Sequence, residues 1–253
     1  MKNSSAQTPV AQKPVRRSAA FSFATFAAIA LVLASLPARR AMAQNPELQQ
    51  KVAEVKQSAA QNKQALSQYS WQEQETIAIK GSVKDEKLYQ VHLGPDGKPQ
   101  KTELDNTPTS SGGRQHGIKH HIKEKKTEEY QDYGHQIAAL AQTYAQPDPE
   151  KLQQAFQQGN LLLGSAGAPG EVKLVIKNYV KPNDQVTLVF SQAAKAIQSM
   201  EIASYLNDPK DAVKITAQFS KLPDGTNHAS NMQVDGVSKE LTVTTQNSNY
   251  QKM

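Results

Sequence analysis

The sequence predicts an α+β fold: one strongly curved antiparallel β-sheet of about eight or nine strands with amphipathic helices packed on it. Two stretches repeat apolar residues at three- and four-residue steps, which is the helical period. The C-terminal part alternates apolar and polar residues with period two, which is the strand period. Short turns join those alternating stretches and make sequential strands antiparallel neighbours.

Residues 1–43 read as an export signal. A basic segment ending at Arg16-Arg17 precedes an apolar run from Ala19 to Leu36, and Ala41-Met42-Ala43 then supplies a small-x-small cleavage pattern, placing the cut between Ala43 and Gln44. The apolar run is about 18 residues, borderline for a membrane span, so an uncleaved anchor is the alternative; the cleavage pattern favours removal. General secretion is expected over twin-arginine export, because Phe21 is displaced from the position that signal requires.

Removal of the signal changes the charge. The whole chain carries 29 basic and 23 acidic residues, but Lys2, Lys13, Arg16, Arg17, Arg39 and Arg40 leave with residues 1–43, so the mature chain is balanced at 23 of each. Nucleic-acid binding needs a surplus of positive charge, and none remains. The chain has no cysteine, which excludes disulfides, thiolate metal ligands, a cysteine nucleophile and a lipidated N-terminal cysteine. Residues 44–253 are enough for one domain, and no later segment is long and apolar enough to span a bilayer. The expected location is periplasmic or secreted.

Within that domain, Asn45-Pro46 opens the first helix, with Leu48, Val52, Val55, Ala59, Leu66 and Tyr69 on one face and polar Asn62 interrupting the stripe. Ser70–Lys80 follows as a strand with Trp71, Ile77 and Ile79 on one side. Leu88–Leu93 and Gln100–Leu104 flank "GPDGKP", a hairpin turn built on Asp96-Gly97. Residues 105–117 form a polar loop, expected to be flexible. The region 118–159 is a helical insertion: a second helix carries Ile118, Ile122, Tyr133, Ile137, Leu140 and Tyr144 on one face, and a third begins at Asp148-Pro149 and buries Leu152 and Phe156.

Leu161–Gly170 reads as a small-residue connection. Glu171–Val180 and Asp184–Phe190 then alternate Val172, Leu174 and Ile176, and Val186, Leu188 and Phe190, around a "KPND" turn. Lys195–Leu206 and Ala212–Ser220 follow in the same manner. After "LPDGTNH", Val237, Leu241 and Val243 complete the set. "PDG" occurs at residues 95–97 and 223–225, both times as a turn, and no longer repeat is present.

Chemistry has few footholds. His116, His120 and His121 are the candidates for a divalent-metal site, but Gly117, the lysines at 119, 123, 125 and 126 and the lack of a nearby carboxylate act against it. A solvated helix start is expected, and no metal or other cofactor. Glu124, Glu128 and Glu129 offset those lysines, so the run is a mixed charged face. No serine-hydrolase elbow, P-loop, dinucleotide fingerprint or His-Glu-x-x-His string occurs. Glu73 and Glu75 read as a polar strand end rather than an acid/base pair. Asp208, Asp211 and Asp224 read as turn residues. The protein is therefore expected to bind rather than to catalyse.

The order of "QYSW", "GPDGK", "YVKPNDQVTLVF", "AIQSMEIASYL", "DAVKITAQFSKLPDGTNH" and "KELTVTTQNSNYQK" resembles a family of uncharacterised exported bacterial proteins. In plan it is more distantly similar to the LolA/LolB-like and RseB-like half-barrels of the periplasm. That resemblance implies an unclosed half-barrel whose concave, apolar face is covered by helices and receives a lipid, an acyl chain or a lipoprotein. Trp71, Ile77, Leu174, Ile176, Leu188 and Phe190 are the candidate lining residues. The alternative is an envelope protein–protein interaction or structural module.

Overall fold

The computed structural model describes residue 57 and residues 60–104, 118–145 and 149–253, with the side chains of 118–127, 149–150 and 152–153 excepted. The expected export signal with Ala43 and Gln44, the expected face residues Leu48, Val52, Val55 and Ala59 of the first helix, and the whole of the expected loop 105–117 lie outside the described residues.

Three helices and ten strands are described. Residues 60–66 are the end of α1. The strands β1 (Tyr69–Ile79), β2 (Ser82–Leu93) and β3 (Pro99–Leu104) precede α2 (Ile118–Ala145) and α3 (Pro149–Gln157). Then come β4 (Leu161–Ser165), β5 (Glu171–Lys177), β6 (Gln185–Ser191), β7 (Ala196–Tyr205), β8 (Ala212–Lys221), β9 (Asn227–Gly236), a short 3₁₀ turn (Val237–Lys239) and β10 (Leu241–Lys252).

All ten strands belong to one antiparallel sheet, ordered β3-β2-β1-β10-β9-β8-β7-β6-β5-β4. The sheet does not close, since β3 and β4 are its edges. Every neighbouring pair except β1–β10 is joined by a local connection, so the β1–β10 pairing is what unites an N-terminal and a C-terminal meander. In it Ile79 lies opposite Leu241 and Tyr69 opposite Lys252.

The strand count exceeds the eight or nine expected from the sequence. Leu161–Ser165 is an edge strand rather than part of a connection, and β9 precedes the expected last strand. Val237 sits in the 3₁₀ turn at 57% exposure and does not join the core.

Register aligns side chains into rows across one face. One row runs Ile77, Val243, Val234, Ile215, Ile202, Val186, Ile176 and Leu161 across eight strands. The next runs Leu163, Leu174, Leu188, Met200, Ala217 and Met232, then turns polar at Thr245, Glu75 and Lys87. Strand side chains alternate between faces, so each row lies wholly on this side.

Helix α2 covers the apolar part of that face. Its buried residues Tyr133, Ile137, Leu140, Ala141, Tyr144 and Ala145 recur at helical spacing and join one core cluster with Ile176, Val186, Ile202, Ile215, Val234 and Val243. A second cluster, Trp71, Tyr89, Val91 and Leu93, sits at the β1–β2 end, with Leu66 of α1 against it. Asn62 explains the break in the α1 stripe. Its Nδ2 donates to the Asn227 carbonyl at 2.7 Å, and its Oδ1 accepts the Asn227 N–H at 2.5 Å, fastening α1 to the start of β9.

Candidate functional site

The covered face changes character from one end to the other. From β4 to β9 its rows are apolar; on β10, β1, β2 and β3 they carry Thr245, Asn247, Glu73, Glu75, Tyr89, Lys87, Glu103 and Lys101. Register places them: Asn247 lies opposite Glu73, Glu73 opposite Tyr89, and Tyr89 opposite Glu103. Directly opposed residues on one face bring their Cβ atoms to about 5 Å.

Glu73 and Glu75 are only 1% and 2% exposed. The sequence reading of a polar strand end is therefore corrected: both carboxylates point to the covered face, at alternate positions in register with Trp71 and Ile77. Glu73 pairs with Lys101 of β3, and both side chains are almost fully buried. Burial raises the Glu73 carboxyl above its ordinary value, and the Lys101 charge opposes that rise. The Lys101 ammonium also lies 5.4 Å from the centre of the Tyr89 ring. Burial first, then the charges of Glu75, Glu103, Glu73 and Asp85, pushes the Tyr89 hydroxyl well above its usual range.

An aromatic column borders this cluster. Trp71 stacks on Tyr250 with centroids 5.5 Å apart and planes at 16°, and His228 lies 4.3 Å from Tyr250 on a tilted plane. Burial holds the His228 imidazole below its ordinary value and the Tyr250 hydroxyl above its own. Three buried polar atoms, Trp71 Nε1, Thr245 Oγ1 and Asn247 Oδ1, have no hydrogen-bond partner among the described residues. An unpaired buried polar group costs about 1–3 kcal/mol, so three such atoms within a few positions single out the polar end among the described residues.

Polar contacts to loops hold α2 at one side of the apolar half. Tyr144 donates to Asp184 Oδ2 at 2.6 Å and lies 2.7 Å from Ser204 Oγ. Asp184, 1% exposed, also accepts the backbone N–H groups of Tyr179, Val180 and Lys181 at 2.6, 2.8 and 2.8 Å. Tyr133 donates to Asp211 Oδ1 at 2.8 Å, and Ser238 donates to the same oxygen at 2.5 Å. Glu129 pairs with Lys239 at the surface. Asp211 thus does more than shape a turn, and Asp224 likewise accepts from Tyr69 at 2.6 Å.

All six lining candidates project to the covered face. Ile176 and Leu188 are buried in the main core; Ile77 and Leu174 are partly buried against it. Phe190 is half-buried and lies opposite Val172. Trp71 stands apart from them in the second cluster. His116 and the side chains of His120 and His121 lie outside the described residues. Among the described residues no group of three His, Asp or Glu side chains is placed to hold a metal ion, and no helix is long and apolar enough to cross a membrane. Sequence reasoning missed the polar end because its residues read as solvent-facing; the signal was present in Glu73 and Glu75 sharing the strand parity of Trp71 and Ile77.

No protein-family model matches the sequence, and no curated protein matches it. Among solved structures, a DUF1329 family protein from Desulfovibrio piger superposes with TM-score 0.40 at 13% identity, over 79% of this chain and 92% of that one. A LolA superfamily protein from Nitrosomonas europaea superposes with TM-score 0.37 at 11% identity, over 79% of this chain and 93% of that one. This chain's own sheet, among the described residues, is large, antiparallel and unclosed, with few helices.

Proposed function

We propose that the protein is an exported, non-enzymatic carrier or sensor of an apolar, lipid-like ligand, received between the apolar rows of the sheet and α2. The observation that carries this reading is the pair of rows from β4 to β9, apolar on successive strands and covered by one amphipathic helix. Such a face accepts an acyl chain when the helix shifts, because the helix's buried contacts are largely non-directional dispersion and hydrophobic contacts. The reading takes this face as the concave one. Ile77, Leu174, Ile176, Leu188 and Phe190 then line the chain, with Trp71 at the polar end. Lipid or lipoprotein is the proposed partner, and no cofactor takes part.

Native mass spectrometry and organic extraction of the purified mature protein test this reading, together with uptake of a chain-labelled fluorescent fatty acid. A co-purifying amphiphile or saturable uptake supports it. A ligand-free protein that takes up no probe overturns it. The same spectra test export, since the mature chain is expected to begin at Gln44.

One observation favours a second reading, an envelope interaction module. The edge strand β4 exposes Leu162 at 46% and Leu163 at 41% and carries no charge, whereas the opposite edge, β3, contains Pro99, Lys101 and Glu103. Uncharged apolar edges invite strand pairing. Crosslinking in the envelope from a residue placed on β4 distinguishes this reading: a specific crosslinked protein, with no chain uptake, would replace the carrier reading.

A further inference from the structure

A head-group reading of the three buried atoms left unpaired among the described residues deepens the carrier reading and rests on it. Thr245 and Asn247 are successive residues on the covered face of β10, opposite Glu75 and Glu73. Trp71 precedes Glu73 on the same face of β1. Trp71 and Thr245 are each 1% exposed, and Trp71 Nε1, Thr245 Oγ1 and Asn247 Oδ1 are buried without a hydrogen-bond partner among the described residues.

The three atoms are not alike. Indole Nε1–H donates only. Asn247 presents its oxygen here, because its Nδ2 donates to the Ala229 carbonyl at 2.8 Å, so that position accepts only. The Thr245 hydroxyl donates or accepts. A carboxylate or phosphate head would satisfy Trp71 but would bring lone pairs against Asn247 Oδ1, while the nearby Glu73 charge is already met by Lys101. An ammonium head would satisfy Asn247 but has no acceptor for the indole N–H. An uncharged hydroxyl both donates and accepts, so a head bearing several hydroxyls matches the chemistry of all three atoms.

We infer that this end of the face is a subsite for the uncharged, hydroxyl-bearing head of an amphiphile, such as a glycerol or sugar head, with the tail lying along the apolar rows. The geometry joins the two parts. Thr245 is followed in its own row by Met232, Ala217, Met200, Leu188 and Leu174. With strands about 4.8 Å apart, the four steps from Met232 to Leu174 give an apolar track of about 19 Å leading away from the head. Tyr250, stacked on Trp71, borders the head end.

The chain supplies its own reporter, because Trp71 is its one tryptophan. The mature protein is titrated, below micelle formation, with 1-monododecanoylglycerol, dodecanoate and dodecylammonium. Trp71 emission reports the head, and displacement of a chain-labelled fluorescent probe reports the tail. The glyceryl head is expected to bind about tenfold more tightly than either charged head, as one or two well-made hydrogen bonds allow, and to change Trp71 emission. Thr245→Val, which keeps the shape and removes the hydroxyl, is expected to weaken binding of the glyceryl head more than binding of dodecanoate and so to reduce that preference. If all three compounds displace the probe equally, or displace it with Trp71 emission unchanged, the head subsite is overturned and the carrier reading stands. If none displaces a bound probe, the head subsite is likewise overturned; if the probe itself does not bind, both readings fall together. The comparison of heads on the unmodified chain needs no variant to fold.

Discussion

Tyr133 of α2 lies against Gly236 at the end of β9 so closely that a Cβ at that glycine would stand 2.7 Å from the Tyr133 hydroxyl oxygen and 2.9 Å from its Cζ. The Gly236 φ is −93°, an angle open to any residue, so the glycine is required by space and not by backbone freedom. The aromatic ring and the sheet backbone approach to this distance only where no side chain intervenes.

Gly236→Ala is therefore expected to destabilise the fold by about 2 kcal/mol, in the range of overpacked cores, and to lower the Tm by roughly 5 °C for a domain of this size. Thermal denaturation followed by circular dichroism measures it. Adding Tyr133→Leu should recover part of the loss. A single variant melting with the parent protein would mean that α2 does not hold this position.

Breaking the buried Glu73–Lys101 pair from one side leaves its partner without its charge complement. Glu73→Ala is expected to cost about 3 kcal/mol, as one-sided loss of buried pairs does. Replacing both at once, with Glu73→Leu and Lys101→Met, should cost far less, because the desolvation of both ions is removed together. Urea unfolding of the two single variants and the double variant gives the coupling; additive losses would show that the pair does not act as a unit.

Asp184 collects three backbone N–H groups and the Tyr144 hydroxyl. Asp184→Ala leaves all four donors without this acceptor and is expected to lose at least ~3 kcal/mol. Asp184→Asn should be nearly as harmful, since its amide would turn two donors toward a site built from donors. Tyr144→Phe, which removes only one of the bonds, should lose about 1–2 kcal/mol. The order of the three urea midpoints is the check.

His228 gives a pH dependence of definite sign. Burial against Tyr250, only partly offset by the Ala229 carbonyl at 3.3 Å, holds its folded-state pKa below the ordinary 6.5. As pH falls through that ordinary value the unfolded chain takes up a proton that the folded one does not, so stability falls with it. The parent protein should lose more stability than His228→Gln between neutral pH and about pH 5. Parallel loss in both proteins would assign the acid sensitivity to carboxylates alone.

Much of the apolar half was legible in the sequence. Tyr133, Ile137, Leu140 and Tyr144 share one helix face, as their spacing indicates, and Leu174, Ile176, Val186 and Leu188 share one sheet face. Of the strands that escaped, β9 is the informative one. In β9, "NHASNMQVDG", only Met232 and Val234 interrupt a run of polar and small residues, and β10 loses its alternation after Val243. Period-two hydrophobicity reports a strand only where enough apolar residues alternate; β9 places only Met232 and Val234 in the apolar rows, so the signal falls short while the strand remains. The β4 strand escaped for the opposite reason, since Leu161, Leu162 and Leu163 are consecutive leucines and have no period at all.

The β1–β10 junction sets an order of assembly. The strands from β4 to β10 pair with neighbours close in sequence, and so do β1, β2 and β3. Joining β1 to β10 must instead close a loop of more than 160 residues, whose entropy cost grows with length, and contacts of such separation slow folding. The polar end is built from both sides of that junction, with Glu73, Tyr89 and Lys101 from one meander and Thr245 and Asn247 from the other. Glu73 meets Asn247 only when the two meanders become one sheet, so the polar end comes into being with that long-range pairing.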